Sequence, residues 1–216
     1  MKKIGEGVQY DVFDLGNNRV RKVKTSFFQK MVRLHRIARK YKIYIHPYHN
    51  IKMAIETDRI TKKSISGLKE RIQKIDQALI GNPEILNDSD YEQDKVRSLG
   101  EELYSSDSAK VEDLINKYIS NILTGWDYGF SDTVFNFMIN AGVTREGEVI
   151  LTDLGELTYN KDDVDKLVST KHWEKRSSFN KLNNSELKNY IRSRFDAEVT
   201  IANLNIRWGS KATKAN

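Results

Sequence analysis

Apolar and polar positions alternate at the start of the chain. Val8, Tyr10, Val12 and Phe13 lead into a turn at Leu15-Gly16-Asn17-Asn18, and Arg19 to Lys24 reads RVRKVK with Val20 and Val23 as its apolar members. Runs of this kind around an Asn-rich turn predict a strand hairpin over residues 1–24. The period then changes. Phe27, Met31, Leu34, Ala38 and Tyr41 recur at i, i+4, i+7, i+11 and i+14, which predicts a helix over 26–42. Residues 43–55, interrupted by Pro47, are expected to be extended. Ile65, Leu68, Ile72, Ile75 and Leu79 predict a second helix over 65–80, stopped by Gly81-Asn82-Pro83.

Residues 84–106 are acidic and polar, with a helix expected near 89–104. The clearest helix is 108–125, where Val111, Leu114, Ile115, Tyr118, Ile119 and Ile122 make a wide apolar face before Gly125. FNFMIN and EVILTD then read as two short strands joined by an AGVTREG turn. A last helix is expected over 185–195 with Ser185 as its N-cap, followed by a frayed tail after Lys211. The fold class predicted from these elements is α+β.

Composition narrows the function classes. The chain has 216 residues, 38% hydrophobic and 31% charged, which suits one domain or two small lobes sharing a cleft. No apolar run reaches the roughly 20 residues of a membrane helix, and no apolar segment follows the two N-terminal lysines. No membrane partner is expected, and a cytoplasmic location is. The absence of cysteine removes disulfides, thiolate catalysis and Cys-based zinc sites. His46 and His49 in HPYH read as loop residues rather than metal ligands.

The net charge of +6 is unevenly spread. No Asp or Glu occurs between Leu15 and Ile55, a stretch that holds eleven lysines and arginines. Residues 19–42 are therefore a solvated basic face or a surface for an anionic partner, nucleic acid included. Tyr41, Tyr44 and Tyr48 lie nearby and are expected to pack in the core, with stacking on nucleotides as the alternative.

Four motifs carry candidate chemistry. Gly5-Glu6-Gly7, with Val12 five residues on, provides glycines whose missing Cβ lets backbone approach a phosphate. Lys22 lies on the strand after the turn. Lys24 is its rival, since alternate strand residues share a face. Asp132 precedes Asn136 by four residues, placing a carboxylate near an amide oxygen. Asp153-Leu154-Gly155 ends the apolar strand VILT, where an aspartate can hold magnesium, a cation that takes oxygen ligands.

In this order the motifs resemble the protein-kinase-like superfamily over about residues 4–156, closer to its atypical members and small-molecule phosphotransferases than to ordinary protein kinases. The resemblance implies a two-lobe fold, with a β-rich N-lobe at 1–63 and a mostly helical C-lobe at 64–216. It implies an ATP- and Mg2+-dependent enzyme transferring the γ-phosphoryl group to a hydroxyl of an unknown acceptor. Gly5, Gly7 and Val12 would cover the nucleotide, Lys22 would hold its phosphates, Asn136 and Asp153 would bind magnesium, and Asp132 would orient the acceptor.

The chain departs from the family pattern in several places. Tyr10 stands where a third glycine often sits, and Phe130-Ser131 replaces the usual pair before the aspartate, which leaves Asp127 as a rival base. The helix after Lys22 has no acidic residue to pair with it, so Glu56 or Glu70 is the expected substitute, or Lys22 is held differently. The segment after Gly155 lacks a peptide-substrate platform. A catalytically inactive nucleotide- or nucleic-acid-binding adaptor is the alternative function.

Overall fold

A computed structural model describes residues 1–40, 42, 44, 46–180 and 182–212. Tyr41 and the end of the tail lie outside the described residues.

The N-terminal hairpin forms as the alternation dictates, with one strand more. Strands β1 (Lys2–Glu6), β2 (Tyr10–Gly16) and β3 (Arg19–Lys24) pair antiparallel, and Asn17 and Asn18 turn the chain between β2 and β3 with φ of 42° and 61°. Helix α1 (Phe27–Lys40) comes after them, buried along Lys30, Arg33, Leu34 and Ala38.

The next element corrects the expectation. Residues 47–55 are helical, not extended, and α2 runs unbroken over Pro47–Arg71. Pro47 is at the first helical position, where its missing N–H costs nothing, and the His46 side chain caps the helix by accepting from the Tyr48 N–H. His46 therefore serves as a cap just outside the helix, whereas His49, also expected in a loop, lies in the first turn of α2. Two 3-10 turns, Ile72–Lys74 and Gln77–Ile80, replace the second half of the helix expected over 65–80. A division at 63/64 would cut α2 in its middle.

Residues 84–106 are also not one helix. β4 (Glu84–Ile85) and β5 (Tyr91–Asp94) return to the sheet, whose order is β1-β2-β3-β5-β4. Tyr91 and Gln93 face inward while Glu92 and Asp94 face out to Arg21 and Arg19, so a polar-looking segment satisfies the period of two. β6 (Arg97–Ser98) and α3 (Leu99–Ser105) come next.

Helix α4 (Ser108–Asp127) is the axis of the helical part, capped by Asp107 and buried along Val111, Leu114, Ile115, Tyr118, Ile119, Ile122 and Trp126. Burying each large apolar side chain contributes roughly 1.5–3 kcal/mol, so α4 is the platform on which the C-terminal half of the chain packs. β7 (Ser131–Asp132) lies just beyond it. FMIN forms the short helix α5 (Phe137–Asn140) rather than a strand, because Phe137 and Met138 turn inward beside α3 and Ile139 outward. β8 (Ala141–Val143) and β9 (Val149–Leu151) make the hairpin, and β10 (Leu157–Thr158) pairs with β7.

The chain closes with α6 (Lys161–Ser169), α7 (Ser177–Asn180), α8 (Ser185–Glu198) and α9 (Ile201–Arg207). Asn184, not Ser185, caps α8 by accepting from the Leu187 N–H. Tyr118, Phe137, Trp173, Phe179 and Phe195 form one aromatic cluster that seats these helices on α4. The architecture is mixed α+β, with a small antiparallel sheet beside a helical body. No helix among the described residues is long and apolar enough to cross a membrane.

Candidate active site

A cleft of about 440 Å3 opens between the sheet and the helical body. Gly7, Val12, Lys22, Asn136 and Asp153 line it, drawn from four separate stretches of sequence. Glu6, Gln9, Tyr10, Thr57, Asn140 and Glu156 line it too.

The glycine-rich segment is the β1–β2 turn. The Gly7 N–H donates to the Tyr10 carbonyl at 2.8 Å, which closes the turn tightly. Gly5 is not part of the cleft wall. It pairs with Val12 in the sheet, and a Cβ there would sit 3.3 Å from the Val12 side chain.

Lys22 and Lys24 share a face of β3 but have different surroundings. Lys22 is half-buried, donates to the Thr152 carbonyl and lies 5.6 Å from the centre of the Tyr91 ring. Burial lowers its pKa, opposed by the nearby charges of Asp153 and Glu156. Lys24 instead pairs with Asp58 of α2 at 3.3 Å, and Asp58 also pairs with the fully buried Lys30. The substitutes expected for the missing helix acid do not reach Lys22. Glu56 pairs with Arg59 and Glu70 with Arg71, both on the surface. The acids near Lys22 come from the Asp153 turn, not from a helix.

Helix α2 reaches that turn through hydroxyls. Ser64 donates to the Leu154 carbonyl at 2.6 Å and accepts from the Leu157 N–H at 2.8 Å. Thr61 donates to the Gln9 side chain at 3.0 Å. Asp153 is fixed by accepting from the Gly155 N–H at 3.2 Å.

Asp132 is buried, 4% exposed, and stands behind the cleft wall rather than in it. The β7–β10 register sets it opposite Leu157, next to the Asp153 turn. One carboxylate oxygen accepts from the Val134 N–H at 2.8 Å, and the Asn140 amide approaches both oxygens at 3.3 and 3.5 Å. The same amide donates to Glu156 at 2.8 Å. The loop from Asp132 to Asn136 is strained: fully buried Phe135 has φ of 46°, a left-handed backbone that costs a bulky residue on the order of 1–3 kcal/mol. Arg176 braces this loop by donating to the Val134 carbonyl at 2.9 Å.

Three carboxylates therefore crowd one place. Burial pushes Asp132 up to about 7, helped by the charge of Asp153 and opposed by the Val134 N–H, Asn140 and Arg176. Burial and the charges of Asp153 and Asp132 push Glu156 up to about 8. Asp153 is raised by burial, with Lys22 pulling the other way. Against these acids stand half-buried Lys22 in the cleft and Arg176 behind its wall. Such a site favours an added positive charge.

Asp127, the rival base, is elsewhere. It accepts from Arg207 at 3.0 Å and Ser210 at 3.3 Å, with Lys211 at 3.7 Å, and so ties the C-terminal segment to α4. Tyr44 and Tyr48 do not join the core: Tyr44 is 87% exposed and Tyr48 64%. Much of that stretch is matched internally, with Arg33 on Asp11 at 2.8 Å and Arg36 on Glu6 at 2.9 Å.

Sequence reasoning missed Gln9, Asn140 and Glu156. Glu156 directly follows the Asp-Leu-Gly motif, the only signal that pointed to it. Among the described residues, no group of three or more His, Asp or Glu side chains is arranged to hold a metal. Asn136, Asp153 and the adjacent Glu156 offer instead the oxygen donors that suit magnesium, which takes one or two carboxylates and completes its shell with phosphates and water. No protein-family model matches the chain, and no curated protein matches it significantly.

Proposed function

We propose that the protein is an ATP- and Mg2+-dependent phosphotransferase of kinase-like, two-lobe fold. The observation that carries this reading is the convergence of Gly7, Val12, Lys22, Asn136 and Asp153 on one cleft, from positions up to 146 residues apart. In this reading the sheet on one side and the α4-centred helices on the other would be the two lobes. The adenine end would lie against the β-sheet side near Val12, and the phosphates would lie between Lys22 and Asp153. Asn136 and Asp153 are the residues that would hold magnesium, whose charge neutralises the phosphates. Asp132, one side chain behind the wall, would orient the acceptor hydroxyl, whose identity the cleft leaves open.

Thermal unfolding with and without Mg-ATP, on wild type and Asp153→Ala, tests the nucleotide site. At ligand about 100 times Kd the expected stabilisation is about 2.7 kcal/mol, a rise of roughly 5–10 °C for a chain of this size. The rise should need magnesium and vanish in the variant. No rise in wild type at millimolar Mg-ATP contradicts the reading.

Two observations favour the inactive nucleotide-binding adaptor as the second reading. Asp132 does not line the cleft, and among the described residues no helix acid pairs with Lys22. Phosphate release from ATP, measured beside the thermal shift, separates the two: stabilisation without turnover, in the presence of candidate acceptors, favours the adaptor.

A further inference from the structure

The proposed function uses Asn136 and Asp153 but not Glu156, yet both Glu156 carboxylate oxygens are engaged across the cleft. One accepts from the Asn140 amide at 2.8 Å. The other accepts from the Gln9 amide at 2.7 Å. Gln9 belongs to the glycine-rich turn, and its own carbonyl oxygen accepts from Thr61 of α2 at 3.0 Å. One glutamine thus fastens the β1–β2 turn to α2 and to the Asp153–Glu156 segment at once.

The fit is close. A Cβ on Gly155 would stand 2.6 Å from the Gln9 oxygen and 2.8 Å from the Tyr10 hydroxyl, so both side-chain ends rest on the glycine between the two acids. Tyr10 is 4% exposed, lines the cleft, and its hydroxyl has no hydrogen-bond partner among the described residues. A buried polar atom left unpaired costs about 1–3 kcal/mol. Its presence beside two carboxylates points to a ligand that brings a polar partner.

We propose that Glu156 and Asp153 form the carboxylate pair of a divalent-cation site, and that Gln9 is the group the cation displaces from Glu156. A hard cation prefers an anionic oxygen to any neutral donor it replaces. Cation binding and release of the glycine-rich turn are then linked, and the linkage is reciprocal: whatever strengthens the Gln9–Glu156 contact weakens the cation, by the same factor. Asn136 supplies a further oxygen from the facing wall. The cation site adds Glu156 and Gln9 to the magnesium site of the proposed function. It rests on that reading for the nucleotide but not for the metal.

The test uses Mn2+ as the probe, titrated into the full chain with and without ATP, with free Mn2+ read by electron paramagnetic resonance. Glu156→Gln keeps the shape and removes the charge, and should weaken Mn2+ at least about tenfold. Gln9→Ala and Thr61→Val both loosen the fastening and should tighten Mn2+ several-fold. Circular dichroism of each variant checks the fold. Wild-type affinity in Glu156→Gln, alongside loss in Asp153→Asn, overturns the carboxylate pair. Unchanged or weaker Mn2+ binding in both loosening variants overturns the linkage, and no Mn2+ binding to wild type under either condition overturns the site. If Mn2+ binds with the expected pattern and ATP neither binds nor stabilises, the nucleotide reading fails and the cation site stands. If ATP binds with Mn2+ and Glu156→Gln matches wild type, the reverse holds.

Discussion

Two charged regions meet at β3, and they are built on opposite plans. On the α1–α2 side each of the acids that face the sheet has its base: Asp58 holds Lys24 and Lys30, Asp11 holds Arg33, and Glu6 holds Arg36. On the cleft side buried Asp132 and half-buried Asp153 and Glu156 lie near Lys22, with Arg176 also acting on Asp132 and Glu156, and the pKa values of all three acids are raised. The first arrangement is complete in itself and serves stability. The second crowds carboxyl groups whose raised pKa values leave them partly protonated near neutral pH, an arrangement that costs stability and that an added cation would relieve.

The largest expected effect is on pH dependence. Asp132 and Glu156 bind protons more tightly folded than unfolded, so their contribution favours folding at low pH. That contribution is lost as pH rises from about 4 through the folded values of about 7 and 8, because the folded state there holds more protons than the unfolded one. Denaturant titrations should show these two groups lowering stability by several kcal/mol, to order of magnitude, between pH 4 and 8. Asp132→Asn and Glu156→Gln should each flatten the profile, as should saturating magnesium. Arg176, Lys22 and Asn140 face these acids and set the residual slope.

The matched region should respond differently. Asp58→Ala leaves Lys30, fully buried, without its acid, and should cost about 3 kcal/mol by chemical denaturation. That is the low end for such a pair because Asp58 keeps 29% exposure. Nucleotide affinity should follow only through global stability. Asp127→Ala, which releases Arg207 and Ser210, should cost about 1–2 kcal/mol and leave any Mg-ATP stabilisation intact. A loss of nucleotide binding in that variant would return Asp127 to the site. Glu56→Ala, at the surface beside Arg59, should change neither stability nor binding measurably.

The contrast also explains what the chain disclosed in advance. The β1–β3 hairpin, α1 and α4 follow local periods that burial reinforces, and the expected cleft residues Gly7, Val12, Lys22, Asn136 and Asp153 do line one cleft. Where a residue type has two meanings, local pattern alone points to the wrong one. Pro47 marks a helix start rather than a break. Tyr91 and Gln93 face inward on a strand whose composition resembles a polar helix. Gly5 belongs to the sheet register rather than to the cleft. The Gln9–Glu156–Asn140 connection was not legible, because it joins residues 147 and 16 positions apart through side chains that are common on any surface. Tertiary placement alone gives them a role.

The most direct measurement is a crystal structure of the full chain with Mg2+ and a non-hydrolysable ATP analogue. The account predicts the phosphates between Lys22 and Asp153, the metal on Asp153 and Asn136, and the base on the sheet side near Val12. A nucleotide seated on the exposed basic face of α1, or no nucleotide in the cleft at saturating concentration, would contradict it.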